Sequence, residues 1–152
     1  MRGVLLLIND ALFSSNRDDW ETPKDLFNSL NDEFHFTLDA ASSDENALCV
    51  KHYTLKEDGL SQSWMGETVY CNPPYGRDVG KWLAKASDET KNGVTTVMLL
   101  PARTDTKAFH EYVYGKAEIR FIKGRVKYTL GGAESYPAPF PSMIVIFRPE
   151  AE

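Results

Sequence analysis

Only two of the 152 residues are cysteines, Cys49 and Cys71, and neither has a partner at metal-ligand spacing. That speaks against a disulfide framework and against a zinc site, and leaves two buried free thiols as the expectation. Long apolar runs are also missing. Val4-Leu5-Leu6-Leu7-Ile8 stops at Asn9 and Asp10, well short of a membrane span. The same run is too short for a secretory signal and lacks a small-residue cleavage pattern, so the expected setting is cytoplasmic. There is no internal repeat, no low-complexity tract and no linker that would divide the chain. Residues 1–19 read as an amino-terminal arm and 20–152 as a single domain, long enough to bury a real core.

Positive charge is scarce overall. A net charge of −5 argues against a general nucleic-acid binder. Its distribution points the other way, because residues 1–76 carry −8, residues 77–127 carry +5 and the remainder −2. A basic half can therefore face a polyanion while the rest stays acidic. Chance fluctuation on a solvated surface is the competing explanation, and charge alone does not separate the two.

The most informative stretch is Cys71-Asn72-Pro73-Pro74-Tyr75, which follows the strand-like run Thr68-Val69-Tyr70. Two consecutive prolines can neither join a sheet ladder nor continue into a helix, and each restricts the residue before it. A stiff turn beyond the carboxyl end of a strand results, the place where open α/β sheets bind ligands. It offers the Asn72 carboxamide and the Pro73 carbonyl as acceptors and the Tyr75 ring as a stacking face. Those are the parts needed to grip a planar amine.

Around this turn, strands and helices alternate. Thr22 suits an N-cap and Pro23 a first helical position, with Leu26, Phe27, Leu30 and Phe34 on one helical face. Phe34 to Leu38 alternates as a strand and ends at Asp39-Ala40-Ala41-Ser42, an acid at a strand tip followed by small residues. A second strand is expected near Leu48 to Val50, and Lys56-Glu57-Asp58-Gly59-Leu60 reads as a turn. A helix follows Gly76-Arg77, with Val79, Trp82, Leu83 and Ala86 inward. Val94 to Leu100 has the continuous apolar pattern of a central strand buried on both faces. A further helix capped by Thr104 or Asp105, a strand over 117–122 and a last strand over 143–147 complete the reading. The alternation implies an α/β fold with a mostly parallel twisted sheet and helices on both faces.

The ordered blocks Trp20-x-Thr22-Pro23, Leu38-Asp39-Ala40-Ala41, Asp58-Gly59-Leu60 with Trp64, Cys71 to Arg77, Lys81-Trp82, Leu99 to Thr106, Phe121 to Arg125 and Pro139-Phe140-Pro141-Ser142 together resemble the phage DNA N-6-adenine methyltransferase family. The resemblance covers about Trp20 to Phe147. It implies a Rossmann-like class I methyltransferase fold, S-adenosyl-L-methionine as cofactor and DNA as substrate. It also implies that Trp20, Thr22, Pro23, Asp39, Ala40, Ala41, Asp58 and Asn72 lie at the cofactor. Asn72, Pro73, Pro74 and Tyr75 would act on an adenine flipped out of its stack. Asp-Ala-Ala-Ser stands where many methyltransferases carry a glycine-rich loop, and no ribose-binding acid is identifiable after the second strand.

Arg77, Lys81, Arg103, Lys107, Lys123, Arg125 and Lys127 follow or flank strand ends and are candidates for DNA phosphates. No metal is expected, and His35, His52 and His110 are expected to be structural. Methyl transfer to cytosine, to an RNA base or to a protein glutamine uses the same turn chemistry. A non-catalytic acidic decoy is the reading from another class. Oligomeric state and target sequence leave no trace in the residues.

Overall fold

Alternating residues of the central strands belong to two separate apolar clusters, and this sets the layering. The computed structural model describes residues 20–131 and 134–150; the expected arm over 1–19 lies outside them. The main sheet has five strands in the order β1, β2, β3, β7, β4. These are β1 (Leu38–Asp39), β2 (Thr68–Cys71), β3 (Thr95–Pro101), β4 (Glu118–Phe121) and β7 (Ser142–Phe147). β1, β2 and β3 pair in parallel, while β7 runs antiparallel to both β3 and β4. Four strands therefore point one way and β7 alone is reversed. An antiparallel pair, β5 (Lys127–Leu130) and β6 (Glu134–Pro137), forms a separate hairpin.

Val69, Cys71, Met98, Leu100, Met143 and Val145 point to one face of the sheet. There they meet Trp82, Leu83 and Ala86 of helix α2 (Val79–Glu89), with Phe109 and Val113 of a short π-helical segment. Tyr70, Val97, Leu99, Ile144 and Ile146 point to the other face, toward Phe27 and Leu30 of helix α1 (Lys24–Phe34) and toward the hairpin. The expected α/β architecture with helices on both faces is present. The expected inner face of α2 and the buried strand β3 are seen as read.

Four local expectations are corrected. Thr22 is not the N-cap of α1: Pro23 takes that position, and the Thr22 hydroxyl instead lies 2.6 Å from the Tyr70 hydroxyl. Phe34 does not begin a strand but ends α1, where His35 adopts a left-handed conformation with φ 57°. Phe34 and Phe36 then pack on the face opposite Leu38. No strand forms over Leu48 to Val50, because the Leu48 amide is taken by the Asp39 carboxylate at 3.0 Å. The segment after β3 is capped by Thr106, whose Oγ1 accepts the Phe109 amide at 3.1 Å, and not by Thr104 or Asp105.

Cys71 is buried and Cys49 half-buried, both free. Among the described residues no helix is long and apolar enough to cross a membrane, and no cluster of three His, Cys, Asp or Glu side chains is placed to hold a metal ion.

Candidate active site

Because β1 to β4 point the same way, their carboxyl ends share one edge of the sheet. Asp39-Ala40-Ala41 leaves β1 there and Asn72-Pro73-Pro74-Tyr75 leaves β2. The two segments are adjacent: Asp39 pairs with Tyr70, and the Ala40 amide donates to the Tyr70 carbonyl at 3.0 Å.

The Asn72 side chain is fixed by a long-range bond. Its Nδ2 donates to the Trp20 carbonyl at 2.6 Å, which determines which way the carboxamide faces. Oδ1 is buried and has no hydrogen-bond partner among the described residues. A buried acceptor without a partner costs on the order of 1–3 kcal/mol, so its presence at a strand end marks a place kept for a donor. Burial also withholds water, the usual competitor for such an acceptor.

Tyr75 is where the geometry departs from expectation. A stacking platform must present a ring face, yet Tyr75 is only 4 % exposed. Its hydroxyl donates to the Leu99 carbonyl at 3.0 Å and lies 3.1 Å from the Tyr128 hydroxyl, which in turn lies 3.0 Å from Ser142 Oγ. The ring meets Tyr128 and Phe140 edge-on, and Trp20 packs against the same two rings. In this structure the ring anchors the turn from below, with almost none of its face exposed. We expect Tyr75→Phe to lower stability by about 1–2 kcal/mol in chemical denaturation, because the Leu99 carbonyl loses a buried donor. A platform would tolerate the same change without loss.

Trp20 and Thr22 are tied to the Asn72 turn and to β2, with Pro23 next in sequence. Trp20 supplies the carbonyl to Asn72, and Thr22 engages Tyr70. Pro23 has no side-chain donor or acceptor to occupy the first amides of α1, which are left open to an anion. Glu21 exchanges backbone hydrogen bonds with Thr129, at 3.0 and 3.1 Å, tying this segment to the hairpin.

Asp39 is 2 % exposed. Its carboxylate accepts the Leu48 amide at 3.0 Å and the Ala41 amide at 3.4 Å, so it holds together the loop that follows β1. Burial pushes its pKa up from 3.8 to about 6, against the opposing pull of those two amides and of His52. Between these two values the folded chain keeps a proton that the unfolded chain has lost, so this group makes stability fall as pH rises from about 4 to about 6. The fall amounts to about 2–3 kcal/mol. Asp39→Asn should remove it, as seen by comparing denaturant midpoints of the two proteins across that range.

Asp58 lies close by but is exposed, with φ 59°, and its Oδ1 accepts the Leu60 amide at 3.2 Å. Gly59 beside it is buried against Ala40, so the Asp58 turn and the Asp39 strand end share one wall.

The seven basic candidates are all exposed. Lys81 is paired with Asp78 at 3.3 Å, whereas Arg77, Arg103, Lys107, Lys123, Arg125 and Lys127 have no ion-pair partner among the described residues. Elsewhere Lys51, Lys85, Lys91, Arg120 and Arg148 each sit against a carboxylate, while among the described residues Lys24, Lys56 and Lys116 do not. Arg77, Arg103, Lys107, Lys123, Arg125 and Lys127 follow the carboxyl ends of β2, β3 and β4, which is the edge that carries Asn72.

Tyr70, Tyr128, Phe140 and Ser142 support the site but were not singled out from sequence as site residues. The one available signal was polarity at inward positions: a serine and tyrosines placed within otherwise apolar strands.

The family model described as DNA N-6-adenine-methyltransferase matches residues 10–152. A DNA N-6-adenine-methyltransferase of Escherichia phage T1 is 34 % identical over 121 residues, covering 78 % of this chain and 50 % of the relative. This chain thus spans about half of that relative's length. The protein of the same description from Haemophilus phage HP1 (strain HP1c1) is 30 % identical over 142 residues, covering 90 % of this chain and 82 % of the relative. A match that runs through every element of the sheet and through the Asn72 turn, at a strand edge flanked by unpaired cations, fixes the ancestry: the chain belongs to the DNA N-6-adenine-methyltransferase family.

Proposed function

We propose that this chain is an adenine-specific DNA methyltransferase. On this reading a Rossmann-like class I domain over residues 20–152 takes the methyl group from S-adenosyl-L-methionine and places it on the 6-amino group of adenine. The observation that carries the proposal is the Asn72 carboxamide, anchored through Nδ2 and holding an unpartnered, buried Oδ1 at the carboxyl end of β2.

The residues present fit the cofactor. The α1 amino terminus after Pro23 suits its carboxylate, the small side chains of Ala40 and Ala41 leave room for close approach, and the exposed Asp58 carboxylate suits its adenosine hydroxyls. Asp39 supports this wall by ordering the loop after β1. When bound there, the cofactor supplies an activated methyl group.

The chain's own work is to present the amine. Adenine's amino lone pair is delocalised into the ring, so the nitrogen is a poor nucleophile. Asn72 Oδ1 and the Pro73 carbonyl accept its two protons, drawing the nitrogen toward tetrahedral geometry and stabilising the positive charge that develops on it. Pro73 and Pro74 keep the two acceptors at fixed spacing. Tyr75 secures the turn from beneath. The alkylated amine is acidic enough to lose its proton without a strong base. His52 and His110 are accordingly engaged elsewhere, with Asp44 at 2.8 Å and the Thr104 carbonyl at 2.8 Å.

A base within a duplex reaches this edge only by leaving its stack, at a cost of a few kcal/mol. Phosphate contacts along the rim of Arg77, Arg103, Lys107, Lys123, Arg125 and Lys127 offset part of that cost, with Lys81 joining them once released from Asp78. The working compartment is the cytoplasm, where DNA and cofactor meet.

The test is to incubate the protein with labelled S-adenosyl-L-methionine and unmethylated DNA, digest to nucleosides and identify the product by mass spectrometry. N6-methyladenine is the expected product. A methylated cytosine, or label found only in RNA or protein offered alongside, would move the reaction to another amine. The absence of label from every acceptor, with no cofactor binding by calorimetry, would leave a binding protein.

A further inference from the structure

A cleft of about 220 Å³ opens immediately after the Asn72 turn, between α2 and the π-helical segment. Leu83, Leu100, Phe109 and Met143 form its apolar walls, and Arg77 and Arg103 stand at its lining. The walls belong to the face of the sheet opposite the Trp20, Tyr75 and Phe140 cluster, so the cleft is distinct from the support of the amine site.

Its size limits its occupant. Pockets for drug-sized ligands span roughly 300–1,000 Å³, so this cleft takes a single ring system and not a whole dinucleotide or cofactor. Its charge limits the occupant further. Both arginines are exposed and neither has an ion-pair partner among the described residues, so each can meet an anion without first leaving a carboxylate. An apolar slot for one ring with two open guanidinium groups matches the chemistry of one nucleotide: a base or sugar within, phosphates on the arginines.

We propose that this cleft is a subsite for one nucleotide of the DNA strand adjacent to the target adenine. The proposal rests on the reading of the Asn72 edge as an adenine site. The lining begins at Gly76, four residues and so at most about 14 Å of chain beyond Asn72, and includes Pro101 and Arg103 at the end of β3, the strand paired with β2, which puts the nucleotide next to an adenine at Asn72 within reach of the cleft. Holding that neighbour keeps the strand distorted while the adenine is out of its stack, and a slot shaped for one ring discriminates among neighbouring bases. Target selection is thereby built into the catalytic domain itself.

The experiment uses a duplex carrying a methylated site identified by sequencing, with each nucleotide flanking the adenine replaced in turn by an abasic sugar. In the wild type, one flanking position is expected to raise KM by about tenfold, the loss of one stacked base at about 1.4 kcal/mol. Ala108→Phe, which fills the cleft, should raise KM with intact DNA and abolish the extra penalty of the abasic position. Arg77→Gln and Arg103→Gln, both at exposed positions where folding is not at risk, should each lower the slope of log affinity against log salt by about one. No flanking position costing more than about twofold, a penalty that persists in Ala108→Phe, or wild-type salt slopes in both arginine variants would overturn the subsite. If the wild type methylates no adenine, the reading of the Asn72 edge falls instead. The cleft is then judged alone, by fluorescence anisotropy of the same abasic duplexes with the wild-type and Ala108→Phe proteins.

Discussion

Replacing Asn72 by Ala should lower turnover by about 10²–10³-fold, the loss that follows removal of one preorganised hydrogen-bonding group at a developing charge. Two losses combine in that variant. The amine loses the acceptor Oδ1, and the Trp20 carbonyl loses the donor that ties it to the turn. Asn72→Asp separates them: it keeps an acceptor but turns a carboxylate oxygen toward the Trp20 carbonyl, so the Trp20 segment should be pushed away. Single-turnover rates should fall in both variants, while calorimetric affinity for S-adenosyl-L-methionine changes little in Asn72→Ala. Wild-type turnover in that protein would remove the carboxamide from the mechanism.

Gly59→Ala should be among the most damaging single-atom additions, at about 2–4 kcal/mol of stability. A Cβ at this position would lie 2.2 Å from the Ala40 carbonyl oxygen and 3.1 to 3.2 Å from the Trp82 ring. The first neighbour is backbone and cannot rotate away freely, because the other end of its peptide plane, the Ala41 amide, donates to the Asp39 carboxylate at 3.4 Å. The carbonyl of Gly59 is held as well, by the Trp64 indole at 3.0 Å. Relief therefore requires the Asp58 turn to move off the β1 tip, and cofactor affinity should fall along with the denaturant midpoint. An unchanged midpoint would show that the two segments are not in contact.

The parts of the fold legible in the sequence are those where one strong local signal meets no competitor. Val94 and Val97 to Leu100 are apolar, Thr95 and Thr96 between them are β-branched, and the stretch becomes the strand buried on both faces. Val79, Trp82, Leu83 and Ala86 recur at helical spacing and turn inward. The parts misread are those where a distant group outbids the local pattern. Phe34, Phe36 and Leu38 alternate, but Asn31 Oδ1 captures the Phe36 amide at 2.8 Å and the helix claims Phe34. Leu48 to Val50 looks extended, but a buried carboxylate nine residues earlier takes its amide.

At the site, the position of the Asn72 turn was legible and its bonds were not. Asn72 at a strand end follows from the two prolines after it. Its tether to Trp20 has no sequence signal, since it crosses 52 positions. Nor does the sequence reveal that the Tyr75 hydroxyl has a carbonyl and a second tyrosine waiting for it, which is what turns the ring inward. Charge followed the same rule: the excess over 77–127 was countable, but which cations would be neutralised depended on tertiary pairing.

The exchange of backbone hydrogen bonds between Glu21 and Thr129 has a consequence for the order of assembly. The first described segment is locked only when a strand more than a hundred residues downstream has formed, and Tyr128 and Ser142, which hold Tyr75, arrive still later than most of the sheet. β1 to β3 and α2 can associate as soon as they leave the ribosome. The Asn72 turn then exists but stands unsupported until the hairpin and β7 emerge. At about 5–20 residues per second, the stretch from Arg103 to Phe147 takes seconds to synthesise. During that interval the Asn72 turn lacks the hydroxyls of Tyr128 and Ser142 beneath Tyr75, and that support is complete only with the insertion of the one reversed strand.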